Sequence, residues 1–301
     1  MSVVIGTLCI NEMEWLPRLY EQHKNWPGLR KWVFVETADR MYAKANPELV
    51  TEDGLSVDGT TEFLEKLAKE DDRISYVRQG FADHEDPEQG KCQARQKHAD
   101  IAAHYKPDYI LTLDADEFYM RDSQAQLTEF MKTNTHDGVV VPYRNIWRPP
   151  SIANNPLFDL EIFGWFWGIV VCKIFKWYPT LGYPGNHNAP HHDGVCSNKH
   201  MDFTYHPHAR NRKTADQQAG LYNALPNDAV QFIHMGFASI AQFRLAKNKY
   251  YAERGETETR PRHVNMRDYF RHWVPGDPRP GPHGNDNLIM PYSGPIPEVF
   301  K

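Results

Sequence analysis

The stretch Tyr109-Ile110-Leu111-Thr112-Leu113-Asp114-Ala115-Asp116-Glu117-Phe118 joins an apolar run to a pair of acids. Residues 109–113 are short and apolar and follow Lys106-Pro107, which predicts a buried strand. Asp114 and Asp116 would then emerge where the strand ends. Carboxylates in that position are costly unless a partner compensates their charge. A hard divalent cation is one such partner, because it takes oxygen ligands and keeps bound water or phosphate. A strand that simply ends in solvated acids is the alternative.

The residues before this stretch alternate between strand and helix patterns. Short apolar, β-branched runs are typical of strands, and longer stretches with spaced apolar residues are typical of helices. The alternation predicts an α/β fold with a mainly parallel sheet, in which ligands bind at the carboxyl ends of strands. Residues 37–55 are polar and irregular and are interpreted as an inserted loop. Strands are predicted at residues 3–9, 32–35, 74–77 and 109–113, and helices at residues 11–25, from residue 60 onward and at residues 89–105.

The second half of the chain has weaker periodicity. Residues 139–141 predict one further strand, whereas residues 142–210 are rich in aromatics, prolines and histidines without a clear repeat. A helical pattern returns at residues 233–251. From residue 274 onward, 28 residues hold seven prolines and four glycines. Because proline cannot donate to a backbone ladder, this composition predicts a tail without regular structure.

The composition of the 301-residue chain narrows the function classes. A hydrophobic content of 41% supports a real core, and a net charge of −5 argues against a protein whose whole surface grips nucleic acid. The four cysteines are scattered without a Cys-x-x-Cys pair, which disfavours structural zinc and predicts a reduced, cytoplasmic setting. The sequence contains no apolar window long enough for a membrane span and no signal-peptide pattern at its start, so neither is expected.

Sequence motifs lead up to the acidic pair, and their order is informative. Thr7-Leu8-Cys9-Ile10-Asn11-Glu12 ends the first predicted strand, and Glu36 ends the second. Ser56-Val57-Asp58-Gly59-Thr60 forms a turn, and Gly90-Lys91-Cys92-Gln93-Ala94-Arg95 opens the helix before the acidic strand. In this order the chain resembles the GT-A-type glycosyltransferases, particularly the family 2-like ones. It departs from their pattern in an insertion of about 20 residues between Glu36 and the turn, and in Gln96, where Asn is common.

The resemblance implies a GT-A fold, which is a Rossmann-like α/β fold with a mixed, mainly parallel sheet flanked by helices. Residues 1–140 would form the nucleotide-sugar-binding core, residues 141–273 an irregular acceptor-binding part of the same domain, and residues 274–301 the tail. The implied activity moves a sugar from a nucleotide-diphosphate sugar, in particular a UDP-sugar, to an acceptor hydroxyl. Mn²⁺ or Mg²⁺ is the implied cofactor, because the charge of the leaving diphosphate must be neutralised.

The resemblance also assigns roles to single residues. Asp116 would ligate the metal directly, and Asp114 would contact the ribose or a metal-bound water. One later histidine would complete the metal shell, with His234 the first choice by motif position and His187 the second. An imidazole in the shell would favour Mn²⁺. The further nucleotide-binding positions that the motifs imply are Thr7, Asn11, Glu36, Asp58, Lys91 and Arg95.

Three of these positions have structural alternatives. Glu36 would be an exposed acid at a strand end, and Asp58 would cap the helix that follows it. Arg95 would be a solvated helix arginine instead of pairing with Asp114 or meeting phosphate. The histidines between residues 187 and 208 fit no standard zinc spacing, so a zinc site is not expected there.

The catalytic base has three candidates after the acidic motif. An inverting transfer needs a carboxylate or histidine to deprotonate the acceptor hydroxyl. Asp159, Glu161 and Asp193 are the carboxylates in the right part of the chain. A retaining transfer would not need this base, and the sequence leaves both stereochemical outcomes open.

The acceptor is open among glycans, lipids, proteins and modified DNA. Residues 240–273 contain eight Arg and Lys against four acids, which is typical either of a solvated helix face or of a surface that contacts an anionic acceptor. A hydroxymethylated base in phage-type DNA is therefore one candidate. Two other function classes also stay open. A nucleotidyltransferase would release pyrophosphate, and a non-catalytic carbohydrate-binding protein would keep sugar binding without Asp116.

Overall fold

The computed structural model describes residues 1–135, 137–141, 144–147, 164–167, 171–185, 190, 222–224, 232–235, 246, 249–250, 253, 290–291 and 296–300. The five helices within these ranges are α1 (Leu16–His23), α2 (Arg40–Ala45), α3 (Thr60–Glu70), α4 (Pro87–Tyr105) and α5 (Arg121–Thr133). The strands are β1 (Val3–Cys9), β2 (Leu29–Ala38), β3 (Ile74–Phe81), β4 (Tyr109–Thr112), β5 (Glu117–Tyr119), β6 (Gly138–Val141), β7 (Arg144–Trp147), β8 (Gly164–Trp167), β9 (Val171–Lys176), β10 (Tyr222–Ala224), β11 (Phe232–His234) and β12 (Met290–Pro291).

The main sheet has seven strands in the order β10-β6-β9-β4-β1-β2-β3. The pairs β1–β2, β1–β4, β2–β3 and β10–β6 are parallel, and β9 runs antiparallel between β4 and β6. Strand β1 lies inside the sheet, and its near-continuous apolar sequence suits a strand covered on both faces. The predicted α/β class with a mixed, mainly parallel sheet is confirmed.

A second sheet of five strands stands beside the end of β4, in the order β12-β8-β7-β11-β5. Strand β5 carries Glu117 directly after the acidic pair and runs antiparallel to β11, so that His234 lies opposite Glu117. The turn between β4 and β5 therefore joins the two sheets. Backbone pairing alone brings residue 234 to residues 114–117.

The inserted residues 37–55 are more ordered than the sequence predicted. Helix α2 begins after Asp39, whose side chain accepts a hydrogen bond of 2.7 Å from Tyr42 N. A 3-10 turn follows at Pro47–Leu49. The prediction of an irregular loop is wrong at these residues, because a capping aspartate outweighed the polar composition.

The core sheet takes a strand from beyond residue 140. Strand β9 lies within the stretch 142–210 for which no regular structure was expected, and it separates β4 from β6. Its six residues include two lysines, of which Lys173 is buried, so the apolar run that signals a core strand is interrupted. The predicted boundary at residue 140 thus falls inside β6, a strand of the main sheet.

The predicted tail packs against the core where the structure describes it. Strand β12 pairs with β8, and Glu298–Phe300 forms a 3-10 turn. The Phe300 ring lies 4.9 Å from Phe118 and 6.1 Å from Trp15, measured between ring centroids. The expectation of a tail without regular structure is wrong at these residues, because aromatic burial fixes a segment that proline content alone would leave irregular.

None of the described helices combines the length and the apolar character needed to cross a membrane.

Candidate active site

The acidic turn after β4 is held by its own backbone. Glu117 N donates to Asp114 O over 3.1 Å, and Asp114 N donates to the Glu117 carboxylate over 2.9 Å. Ala115 is 2% exposed, so the middle of the turn is tucked into the core. The two carboxylates of the predicted pair consequently point in different directions and meet different partners.

Asp114 is compensated by two buried cations. Arg95 on α4 contacts Asp114 Oδ1 at 2.5 Å, and Lys173 on β9 contacts Oδ2 at 2.9 Å. Although burial acts in the opposite direction, these two cations hold the pKa of Asp114 well below its usual range. The predicted pairing of Arg95 with Asp114 is observed, and the alternative of a solvated helix arginine is wrong because Arg95 is buried.

The approach of α4 to β1 makes this pairing possible. Arg95 is 1% exposed and also donates to Gly6 O over 3.1 Å. A Cβ atom at position 6 would come within 2.3 Å of His98 Nδ1, so a side chain there would force α4 away from the strand. Gly6 therefore helps to place the guanidinium beside the acidic turn.

Lys173 is a site residue that the sequence analysis missed. Its Nζ atom lies 2.9 Å from Asp114 and 2.9 Å from Glu117 Oε1. The two carboxylates raise the pKa of Lys173, although burial opposes them, so the lysine is a permanent cation. Burial raises the pKa of Glu117, and Lys173 counters that rise. A lysine flanked by apolar residues inside the strand was the available signal, because such a residue needs a buried partner.

Asp116 meets His234 rather than the cations. The Asp116 Oδ2 and His234 Nε2 atoms are 3.3 Å apart, and Met235 N donates to Asp116 O over 2.7 Å. Asp116 is 6% exposed, and the His234 side chain is about one-fifth exposed. The two acids of the motif are thus divided: Asp114 faces protein cations, and Asp116 faces an imidazole.

The Asp116–His234 pair fits a divalent cation by its donor chemistry. Two adjacent ligands of an octahedral ion with bonds of about 2.1 Å are about 3 Å apart, which is close to the observed separation. A carboxylate with an imidazole suits Mn²⁺. Within the described part of the chain, no group of three or more His, Cys, Asp or Glu side chains could hold a metal. The remaining ligands would come from phosphate oxygens and water.

Glu36 is buried and occupied by protein donors. It is 0% exposed and accepts hydrogen bonds from Ser56 N at 2.8 Å, from the Thr61 hydroxyl at 2.8 Å and from the Tyr76 hydroxyl. The carboxylate and burial together raise the pKa of Tyr76, so the phenol stays a donor. The alternative of an exposed strand-end acid is wrong. Glu36 fastens the turn that begins at Ser56.

Asn11 and Asp58 join the first motif to the same turn. Asn11 has a positive φ of 52°, and its side-chain oxygen accepts from Val57 N over 2.9 Å. Asp58 accepts from Met13 N over 2.9 Å and from Thr60 N, at the start of α3, over 3.0 Å. Asp58 thus accepts from the first N–H of α3, as the alternative of a helix-start role predicted, although the N-cap position itself is Gly59. These contacts stabilise the strand-end loops.

Thr7 contributes a hydrogen bond within the core. Its hydroxyl oxygen accepts from the Trp32 indole N–H over 2.9 Å, and its side chain is fully buried.

A cavity of about 190 Å³ opens where β1 and β2 end. Cys9, Ile10, Asp39, Tyr42, Lys91 and Tyr250 are among the residues that line it. Lys91 lies one helical turn before Arg95 on α4. Helix α4 therefore lines the cavity with Lys91 and contacts the acidic turn with Arg95.

Four of the predicted site residues lie outside the described residues. They are the three candidate bases Asp159, Glu161 and Asp193, and the second-choice metal ligand His187.

Comparisons with known proteins agree with this architecture. The family model described as "Glycosyl transferase family 2" matches residues 9–150. That segment contains the last four residues of the Thr7–Glu12 motif together with Glu36, the turn at residues 56–60, the Gly90–Arg95 motif and the acidic pair. Over these residues the chain resembles the GT-A-type glycosyltransferases of family 2. No curated protein is similar enough to match the chain significantly.

Solved structures resemble the chain only remotely. S. aureus TarS 1-349 in complex with UDP-GlcNAc is 13% identical, with a TM-score of 0.33 over 53% of this chain and 41% of that chain. S. aureus TarS 1-349 in another crystal structure is 11% identical, with a TM-score of 0.41 over 84% of this chain and 65% of that chain. The match to S. aureus TarS has a TM-score of 0.40 at 11% identity and covers 90% of this chain and 43% of that chain. This chain thus spans 41% to 65% of those structures, and the fold assignment depends on the sheet order and the family model.

Proposed function

We propose that the protein is a metal-dependent glycosyltransferase that moves a sugar from a nucleotide-diphosphate sugar, UDP-sugars being tested first, to an acceptor hydroxyl. The observation on which the proposal depends is that the two acids of the motif, Asp114 and Asp116, have different partners. Lys173 and Arg95 neutralise Asp114, while Asp116 and His234 lie 3.3 Å apart at the end of the parallel strands. The match of residues 9–150 to the glycosyl transferase family supports the reaction class.

The proposed donor would lie along helix α4. The nucleoside would occupy the cavity at the ends of β1 and β2, and the diphosphate would pass Lys91 to reach Asp116 and His234. A divalent cation held by Asp116 and His234 would supply charge stabilisation for the departing nucleoside diphosphate. Because Arg95 and Lys173 pair with the carboxylates of Asp114 and Glu117, their proposed role is to hold the acidic turn in place. Glu36, Asn11 and Asp58 hold the loops that border the cavity.

The acceptor side of the reaction is proposed from the sequence. Asp159, Glu161 and Asp193 are the candidate bases for an inverting transfer. The acceptor hydroxyl belongs to a glycan, a lipid, a protein or a hydroxymethylated base in phage-type DNA.

The test is a screen of nucleotide sugars with Mn²⁺ or Mg²⁺ that measures release of nucleoside diphosphate. Metal-dependent release is expected, and chelation should abolish it. Release of pyrophosphate would indicate a nucleotidyltransferase instead, and sugar binding without turnover in every acceptor mixture would indicate a carbohydrate-binding protein. Asp116→Asn should lose the release, whereas Asp122→Asn, which alters an exposed acid at the start of α5, should keep it.

A further inference from the structure

We propose that Tyr42 and Tyr250 form an aromatic outer wall of the donor cavity and bind the base of the nucleoside diphosphate, so that the inserted residues 37–55 determine nucleotide preference. The inference depends on the proposed function, because it takes the cavity as the nucleoside site. It adds residues that the motif analysis did not assign.

The cavity has two chemically different walls. Strand ends supply the inner wall, where Leu8, Ile10 and Ala38 present apolar surface. The outer wall contains Tyr42 on α2 and Tyr250, whose rings lie 5.9 Å apart at 68°. Aromatic rings bind nucleobases because each base has a flat π-face.

Asp39 adds a polar group to the same cavity. One carboxylate oxygen accepts from Tyr42 N over 2.7 Å, and the side chain lines the cavity beside the tyrosine. A carboxylate accepts N–H groups, which the edges of nucleobases carry. The combination of two phenol rings with the carboxylates of Asp39 and Glu12 therefore fits a nucleobase better than a phosphate, because carboxylates repel phosphate.

Contacts between the insertion and four residues near position 250 hold the outer wall. These residues, called here the Tyr250 group, are Ala246, Lys249, Tyr250 and Glu253. Asn46, which is fully buried, donates to Ala246 O over 3.1 Å. Lys44 pairs with Glu253 at 2.8 Å and Lys249 with Glu48 at 3.2 Å.

These contacts differ in how much they contribute to stability. The two ion pairs are exposed, and exposed pairs contribute little to stability. The buried hydrogen bond of Asn46 and the contact between Tyr42 and Tyr250 therefore contribute most to holding the insertion against the Tyr250 group. Tyr250 is 6% exposed although it belongs to a part of the chain about 100 residues beyond the family match. The insertion thus explains how a residue from the second half reaches a cavity built by the first.

The test measures binding of UDP, GDP, ADP, CDP and inorganic pyrophosphate by calorimetry with Mn²⁺. Tyr250→Leu keeps apolar volume and removes the ring. It should weaken the preferred nucleoside diphosphate about tenfold, reduce the preference among the four nucleotides and leave pyrophosphate binding unchanged. Tyr250→Phe, which keeps the ring, should bind like the wild type, and so should the control Lys66→Ala at an exposed position on α3.

Two results would overturn the proposed wall. One is wild-type nucleotide preference in both Tyr250→Leu and Tyr42→Leu. The other is an equal loss of nucleotide and pyrophosphate binding in Tyr250→Leu, which would indicate general damage to the site. If Tyr250→Leu does not fold, Tyr42→Leu, at a half-buried position, gives the same readout. Failure of the wild type to bind any nucleoside diphosphate would instead contradict the proposed function itself.

Discussion

The Nζ atom of Lys173 lies 2.9 Å from Oδ2 of Asp114, and the same atom is 2.9 Å from Glu117. One buried cation from β9 thus serves two carboxylates of the acidic turn. Because Asp114 is already compensated by Arg95 and Lys173, it has little capacity left for a metal. This pairing is the physical reason for assigning the metal to Asp116 and His234.

Lys173→Met should strongly destabilise the fold. The methionine fills a similar volume but leaves Glu117, which is 3% exposed, without its cation. Removing one partner of a buried ion pair costs about 3–5 kcal/mol. Urea denaturation at neutral pH measures the free energy of unfolding. Lys176→Met, on the same strand but half-buried, should cost under about 1 kcal/mol. Equal losses in the two variants would contradict the compensating role of Lys173.

His234→Gln should change the metal preference of nucleotide binding. Loss of the imidazole leaves oxygen ligands, which favour Mg²⁺ over softer ions. We expect UDP binding with Mn²⁺ to weaken by about tenfold or more, and binding with Mg²⁺ to weaken less. Titration calorimetry with each ion measures both values. His104→Gln, at an exposed position on α4, serves as the control. An unchanged ratio of the two affinities would remove His234 from the metal shell.

Glu36→Gln should loosen the turn that starts at Ser56. The carboxylate accepts from three donors, and an amide can accept at only one of its two positions, so a donor would face another donor. The expected loss is about 1–3 kcal/mol in the free energy of unfolding. Hydrogen exchange at the Ser56 amide should accelerate as well. Glu65→Gln, on the exposed face of α3, should do neither, and unchanged Ser56 protection in Glu36→Gln would contradict this role.

Acid should destabilise the protein through His23. The ring is fully buried, accepts from Tyr119 N over 3.0 Å and lies 2.9 Å from Leu19 O, which satisfies a neutral ring. Burial lowers its pKa from 6.5 to about 4. Because the unfolded state takes up the proton first, stability is present above pH 6.5 and is lost as the pH falls towards 4.

This single group accounts for about 2 kcal/mol between pH 7 and pH 5. His98 also lowers the stability of the fold at acid pH, because burial lowers the pKa of this histidine as well. Urea denaturation at several pH values measures the slope. His23→Gln should reduce it by that amount, and an unchanged slope would show that another group carries the pH dependence.

The sequence predicted the first half of the fold better than the second. Strand β1 was predicted with its observed bounds, because Val3–Cys9 is a continuous apolar and β-branched run. The pairing of Arg95 with Asp114 was one of the two roles predicted for Arg95, since both residues belong to ordered motifs. Lys173 was missed because its partners are about 60 residues away, and no local pattern encodes such a distance.

The order of the strands also decides where the chain can be divided for expression. A fragment that ends at residue 150, where the family match stops, would keep β4 but lack β9. The inner edge of β4 would then present unpaired backbone groups, which is a template for aggregation. Any shortened version that is meant to stay monomeric should therefore extend at least through residue 176.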